Sequence, residues 1–225
     1  MKISVLIPSI NGFRLLSESV NSIFEKMSGN NQIEVIIKFD FGDETILRIN
    51  ELNYKDKIKI YITDKGLGYG GIHLFLNDML NLCKDSDWIQ LFNDDALVLT
   101  QNWDTCLEKY NPDDVWLFRH IQCEGRIADR GDYYFPIISR KYHQVVGRLS
   151  GSPAYDGYLL NIGETFNISE QLPLKYYHRH AHELADIPEK GPQMVNSRKN
   201  INEQLELQTD KNKIENYLKK WVDIF

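Results

Sequence analysis

The sequence predicts an α/β domain built on a doubly wound, mostly parallel sheet, with a smaller C-terminal region after it. Three observations carry that prediction. Predominantly apolar runs alternate with helical periodicities about four times in the first hundred residues. Each run stops abruptly on turn-forming residues. The polar groups there, Ser9, Asp40, Gly68 and Asn93 to Asp95, all fall at strand exits, where sheets of this kind bind ligands.

Ile3 to Ile7 is apolar at every position but Ser4, as in a strand covered on both faces, and Pro8 with Ser9 to Gly12 ends it in a turn. Leu16, Val20, Ile23, Phe24 and Met27 then recur at helical spacing, and Ser28-Gly29-Asn30-Asn31 stops that helix. The second run, Ile33 to Phe39, ends in Asp40, Gly42 and Asp43. A helix over Thr45 to Leu52 leads to the third run, Ile58 to Ile62. Glycine-rich KGLGYGGIH precedes the helix marked by Ile72, Leu76, Met79, Leu80 and Cys83, and Trp88 to Phe92 is the fourth strand.

Beyond residue 100 the pattern is less regular. Val115 to Phe118 and Tyr134 to Ile138 read as strands, Arg140 to Val146 and Tyr155 to Ile162 as helices, and Leu174 to Tyr177 as extended. Gln193 to Thr209 is polar and reads as a mobile stretch. In the last segment Ile214, Tyr217, Leu218, Trp221, Val222 and Phe225 share one helical face. Such a stripe packs on its own domain, forms a dimer contact or lies on a membrane surface; Lys219, Lys220 and Trp221 suit the last. The expected organisation is one domain over 1–225. Residues 1–100 form one half, 101–190 the second, and 191–225 a polar segment with a terminal helix.

Composition narrows the function classes. A net charge of −6 gives no reason to expect a nucleic-acid partner, which calls for basic excess. Cys83, Cys106 and Cys123 are odd in number and lack CxxC spacing, so they read as thiols in a reducing compartment. The apolar start is too short for a signal peptide, and no run approaches roughly 18 apolar residues. The expectation is a cytoplasmic protein.

In NDD, Asn93 and Asp95 share one side of an extended backbone while Asp94 faces away or caps the turn. A carboxylate and an amide oxygen there suit Mg²⁺ or Mn²⁺ completed by phosphate and water, though Asn and Asp serve equally as turn caps. His178, His180 and His182 alternate, placing three imidazoles on one side of an extended segment; imidazole beside Asp95 leans the choice toward manganese. The glycine loop lets backbone approach an anion at the start of the following helix, but it departs from GxGxxG, and no Walker lysine occurs. Asp156 follows a small-residue loop and fits either a helix-start acid or a catalytic carboxylate. No GxSxG elbow supports nucleophilic hydrolysis.

Together these stretches resemble a known family. ISVLIPSINGFRLLSESVNSIF, VIIKFDFGDET, KGLGYGGIH and LFNDDA are similar, in that order, to the opening strand, acidic turn, glycine loop and DxD-type motif of family-two glycosyltransferases with the GT-A fold. FPIISRKYHQVVGRL, the Asp156 segment and YYHRHAHE resemble a subgroup with a late Asp and a His-x-His pair. Asn93 stands where the first DxD aspartate is common, His73 and Leu74 where arginine and asparagine are frequent, and Asp43 where serine is usual. The resemblance implies a UDP- or GDP-sugar donor and an acceptor hydroxyl on a glycan or small compound. It implies that Pro8, Ser9, Asp40, Gly68, Asn93 and Asp94 line the nucleotide site. Asp95 with His178 or His180 would hold Mn²⁺ or Mg²⁺, and Asp156 would be the catalytic base if the reaction inverts. Two other classes remain open at this point. One is a nucleotide-sugar binder without transfer activity; the other is a metal-dependent hydrolase or nucleotidyltransferase with HRHAH as a zinc site.

Overall fold

A computed structural model describes residues 1–64, 68–125, 135–179 and 201–222. Its centre is an eight-stranded sheet in the order β3-β2-β1-β4-β7-β6-β8-β5. The strands are β1 (Lys2–Pro8), β2 (Gln32–Asp40), β3 (Ile58–Thr63), β4 (Trp88–Leu91), β5 (Ala96–Val98), β6 (Leu117–Gly125), β7 (Ile137–Ser139) and β8 (Ser169–His178). β1 pairs in parallel with β2 and β4, and β2 with β3. β7 is antiparallel to both β4 and β6, so one sheet continues from the first half of the chain into the second.

Alternation along the strands divides the core into two layers. Ile3, Val5 and Ile7 of β1 and Ile33, Val35, Ile37 and Phe39 of β2 point to one side. There they meet Leu16, Val20, Ile23 and Phe24 of helix α1 (Phe13–Glu25). Leu6, Ile36, Ile89 and Leu91 point to the other side. Helices α2 (Ile72–Leu80), α3 (Arg140–Val146), α4 (Tyr155–Phe166) and α5 (Ile201–Val222) cover that face. Burial on both faces is why the first strands read as continuous apolar runs.

Several expectations need correction. Glu44–Glu51 is a 3-10 helix, capped by the Asp43 side chain, which accepts from the Thr45 N–H. β5 was not expected; it is three residues long and follows the acidic turn directly. β8 extends five residues before Leu174, through Pro173, and the β6–β8 register shifts between His120 and Gln122 where that proline lies. The polar stretch expected to be mobile is helical from Ile201 onward, and Arg148 ties that helix to the domain: its Nε donates to buried Asp210 at 2.7 Å and its Nη2 to the Glu206 carbonyl at 2.8 Å. In the terminal stripe Ile214 is fully buried, with Tyr217 and Leu218 packed against the same layer. That part of the face is spent on the domain itself. Among the described residues no helix is long and apolar enough to cross a membrane.

Candidate functional site

The carboxyl ends of β1, β2 and β4 open on one side of the sheet, and the turn after β4 delivers the acidic triplet there. Ser9 Oγ donates to Asp94 Oδ2 at 2.7 Å, tying the exit of β1 to that turn. Asp94 and Asp95 lie in a turn closed by the Ala96 N–H donating to the Asn93 carbonyl at 3.3 Å, so the expected extended alternation does not apply there. Asp95 Oδ1 lies 3.2 Å from His178 Nε2, with side-chain exposures of 11% and 4%. Antiparallel pairing makes this contact: Ala96 of β5 is opposite His178, the last residue of β8. Asn93 lies on the same imidazole, its Nδ2 3.4 Å from His178 Nε2. His180 and His182 fall outside the described residues.

Other groups stiffen the site. The Phe135 ring meets His178 edge-on at 5.3 Å and also contacts Phe92 and Tyr176. Phe135 does so from a left-handed backbone (φ 61°), a conformation that costs a bulky residue on the order of 1 kcal/mol. Asp43, the acidic replacement, is structural: it accepts from the backbone N–H of Thr45 at 2.8 Å and of Asn11 at 2.9 Å, locking the loop after β1 to the end of β2. Asp40 is at the exit of β2 as expected, but its carboxylate is paired with Lys38, whose ammonium also sits over the Phe75 ring. Pro8 ends β1 beside Lys38 of β2. Gly68 opens a 3-10 turn (Gly68–Gly71) leading into α2, while Gly66 is outside the described residues. His73 is buried in the first turn of α2 and Leu74 is exposed.

Asp156 lies in the first turn of α4. The preceding loop is braced: Asn77 of α2 accepts from the N–H of Leu149 and donates to the Ser150 carbonyl, and Ser150 and Ser152 hydroxyls accept from backbone two residues on. Gly151 passes so close to α5 that a Cβ there would lie 2.8 Å from Glu206 Cβ. Tyr155 brings the helix start to the acidic turn, its hydroxyl donating to Asn93 Oδ1 at 3.2 Å. Asp156 itself is half-buried, and its Oδ1 is enclosed with no hydrogen-bond partner among the described residues. Burial pushes this carboxyl up to about 7. A carboxylate placed merely to cap the helix would meet backbone N–H groups; this oxygen does not.

Tyr155, Lys38 and Phe135 were not singled out from the sequence. Only Tyr155 carried a signal, as the neighbour of Asp156.

Asp95 and His178 fit a divalent cation of the manganese type: a hard oxygen and an imidazole nitrogen lie within bridging distance at the mouth of the sheet. Two protein donors are what such an ion keeps when diphosphate and water complete its shell. Among the described residues no group of three or more His, Cys, Asp or Glu is assembled for a metal.

The fold is that of the GT-A glycosyltransferases, and solved structures of such enzymes match it. S. aureus TarS 1–349 in complex with UDP superposes with a TM-score of 0.59 at 15% identity, covering 81% of this chain and 62% of that one. The mannosyltransferase PcManGT from Pyrobaculum calidifontis, in complex with GDP-Man and Mn²⁺, gives 0.56 at 11% identity over 78% of this chain and 56% of its own. GalNAc-T7 with UDP, GalNAc and Mn²⁺ gives 0.55 at 14% identity over 80% and 44%. This chain thus spans 44% to 62% of their lengths. No family model and no curated protein matches the sequence.

Proposed function

We propose that this chain is a metal-assisted glycosyltransferase, moving a sugar from a UDP- or GDP-sugar to the hydroxyl of a glycan or small acceptor. The observation that carries the reading is the Asp95–His178 pair, 3.2 Å apart at the sheet mouth and joined through Asn93 to the helix that bears Asp156. The matching enzymes whose structures hold UDP or GDP-Man, two of them with Mn²⁺, support the donor class and the metal.

In this reading the nucleoside lies over the exits of β1 and β2. Ser9, with its hydroxyl already committed to Asp94, presents a fixed wall there. Asp40 and Lys38 offer an acceptor and a donor side by side to the edge of a base. Pro8, Gly68 and Asn93 line the remainder. Asp95 with His178 or His180 would hold Mn²⁺ or Mg²⁺, and a bound ion would supply positive charge to the departing diphosphate. Asp156 takes the proton from the acceptor hydroxyl as its oxygen bonds to the anomeric carbon and the bond to diphosphate breaks. A carboxyl near 7 suits a base working at neutral pH.

Release of nucleoside diphosphate from UDP-GlcNAc or GDP-mannose, with Mn²⁺ and a panel of acceptors, tests this. Asp95→Asn is expected to abolish metal-dependent turnover with the melting temperature retained. Undiminished turnover in that variant removes the metal assignment. Stoichiometric, tightly held zinc in the purified protein would favour a hydrolase instead.

A further inference from the structure

We propose that Lys38 is a specificity-determining residue that fixes which atom of Asp40 meets the nucleobase, and so makes this pocket select uracil. The proposal rests on the transferase reading above and deepens it to a uridine diphosphate donor.

Lys38 and Asp40 stand two apart on β2 and share one face of the strand. Their backbone is anchored. The Lys38 carbonyl accepts from the Ser9 N–H at 2.9 Å, and the Asp40 carbonyl from the Asp43 N–H at 3.0 Å. Lys38 Nζ donates to Asp40 Oδ1 and lies 4.0 Å from the centroid of the Phe75 ring on α2. Both side chains are largely enclosed, with exposures of 6% and 12%. An ammonium resting on an aromatic face and bonded to one carboxylate oxygen holds that oxygen in place. Asp40 Oδ2 accepts no hydrogen bond among the described residues, and it is the acceptor left for a ligand.

A lysine ammonium donates and never accepts, so residue 40 must turn an oxygen toward it. The pair therefore shows a ligand one donor beside one acceptor. On the pairing edge of uracil, N3–H is flanked by a carbonyl on each side. It meets Oδ2 with a carbonyl toward Lys38 whichever way the ring lies. Guanine has O6 on only one side of N1–H; on the other, its exocyclic amine would face the ammonium. Cytosine carries an unprotonated N3 where uracil has N3–H, and that lone pair would oppose the carboxylate oxygen. The part played by Lys38 shows when residue 40 is changed. In Asp40→Asn the amide oxygen is held toward Lys38, which leaves Nδ2 facing ring position 3, where cytosine accepts and uracil donates. Without Lys38 the amide is free to turn either way.

The test is calorimetric binding of UDP, CDP and GDP, each with Mn²⁺, to the full chain, to Asp40→Asn and to Lys38→Met/Asp40→Asn. The double variant removes both charges together, so neither is left buried alone. Wild type is expected to bind UDP about tenfold more tightly than CDP or GDP, the cost of one opposed hydrogen bond. Asp40→Asn is expected to reverse the order of UDP and CDP, and the double variant to bring the two within about threefold. The ratio between bases is the readout, because a merely structural loss weakens all the nucleotides alike and leaves it unchanged. A wild type that prefers CDP or GDP overturns the proposal, as does an Asp40→Asn ratio equal to that of wild type. A double variant as selective for CDP as the single one also overturns it, since Lys38 then fixes nothing. Should Asp40→Asn fail to fold, the double variant decides: loss of the UDP preference supports the pair, and its retention overturns it. A wild type that binds none of these nucleotides overturns the transferase reading and this proposal with it; binding in the wrong order overturns this proposal only.

Discussion

Replacing Asp156 by asparagine should make the protein more stable at alkaline pH while reducing its turnover. The side chain keeps its shape and loses only the ability to ionise. In the folded protein burial raises this carboxyl from 3.8 to about 7. The neutral form is therefore favoured by folding, and its contribution is fully present below the unfolded value near 3.8. It is lost as pH rises to about 7, since the unfolded chain ionises first. A displacement of about 3 pH units corresponds to about 4 kcal/mol at most. The residue keeps some exposure, which reduces the expectation to about 2 kcal/mol. For a chain of this size that is a difference of roughly 4–8 °C in melting temperature. Melting curves of both proteins from pH 4 to pH 8 supply the assay: the curves should converge at pH 4 and separate progressively by pH 8, with the variant higher. A variant no more stable at pH 8, or a gain independent of pH, would refute the argument that Asp156 sits in an unfavourable, enclosed environment.

Three further outcomes follow from buried groups elsewhere. Asp104 is fully buried and accepts from the Ser28 N–H, the Ser28 hydroxyl and the Asn31 amide. Asp104→Ala should cost about 2–4 kcal/mol in denaturant titration, since it strands these donors. Arg148→Met leaves Asp210 charged and buried beside Tyr158, so a loss of about 3 kcal/mol is expected, read as earlier unfolding of α5 in hydrogen exchange. Burial pushes the Cys83 thiol up to about 12, so this cysteine should resist alkylation at pH 8 until the protein unfolds, as peptide mass spectrometry would report.

β1, β2 and β4 were legible because burial on both faces leaves a largely apolar run that local sequence shows directly, and β3, partly exposed at the sheet edge, because Ile58, Ile60 and Ile62 recur at every second position. β5 was not, since Ala96–Val98 owes its conformation to pairing with Tyr176 to His178 at the far end of the chain. The same pairing brings His178 to Asp95, a contact that period and spacing suggested only as residues sharing a side. β8 was read short because Pro173 argues against a strand; here it is accommodated at the irregularity opposite β6. Polar Ile201 to Thr209 offered little apolar pattern, and its helix is held by the Arg148 network instead. Ser9, Asp40 and Asn93 to Asp95 lie at the strand exits where the sequence placed them, because the ends of apolar runs are recognisable. The engagement of Asp40 by Lys38, of Asp43 by backbone N–H groups and of Asn93 by Tyr155 depends on distances between elements, which no local pattern contains.

The central claim is that this sheet mouth takes a nucleoside diphosphate together with a divalent cation. A thermal-shift panel of UDP, GDP, UDP-GlcNAc and GDP-mannose, each with and without Mn²⁺, tests it most directly. The account predicts stabilisation by at least one uridine or guanosine compound that requires Mn²⁺ and disappears in Asp95→Asn. Stabilisation by none of them, or stabilisation equal with and without the metal, would contradict it.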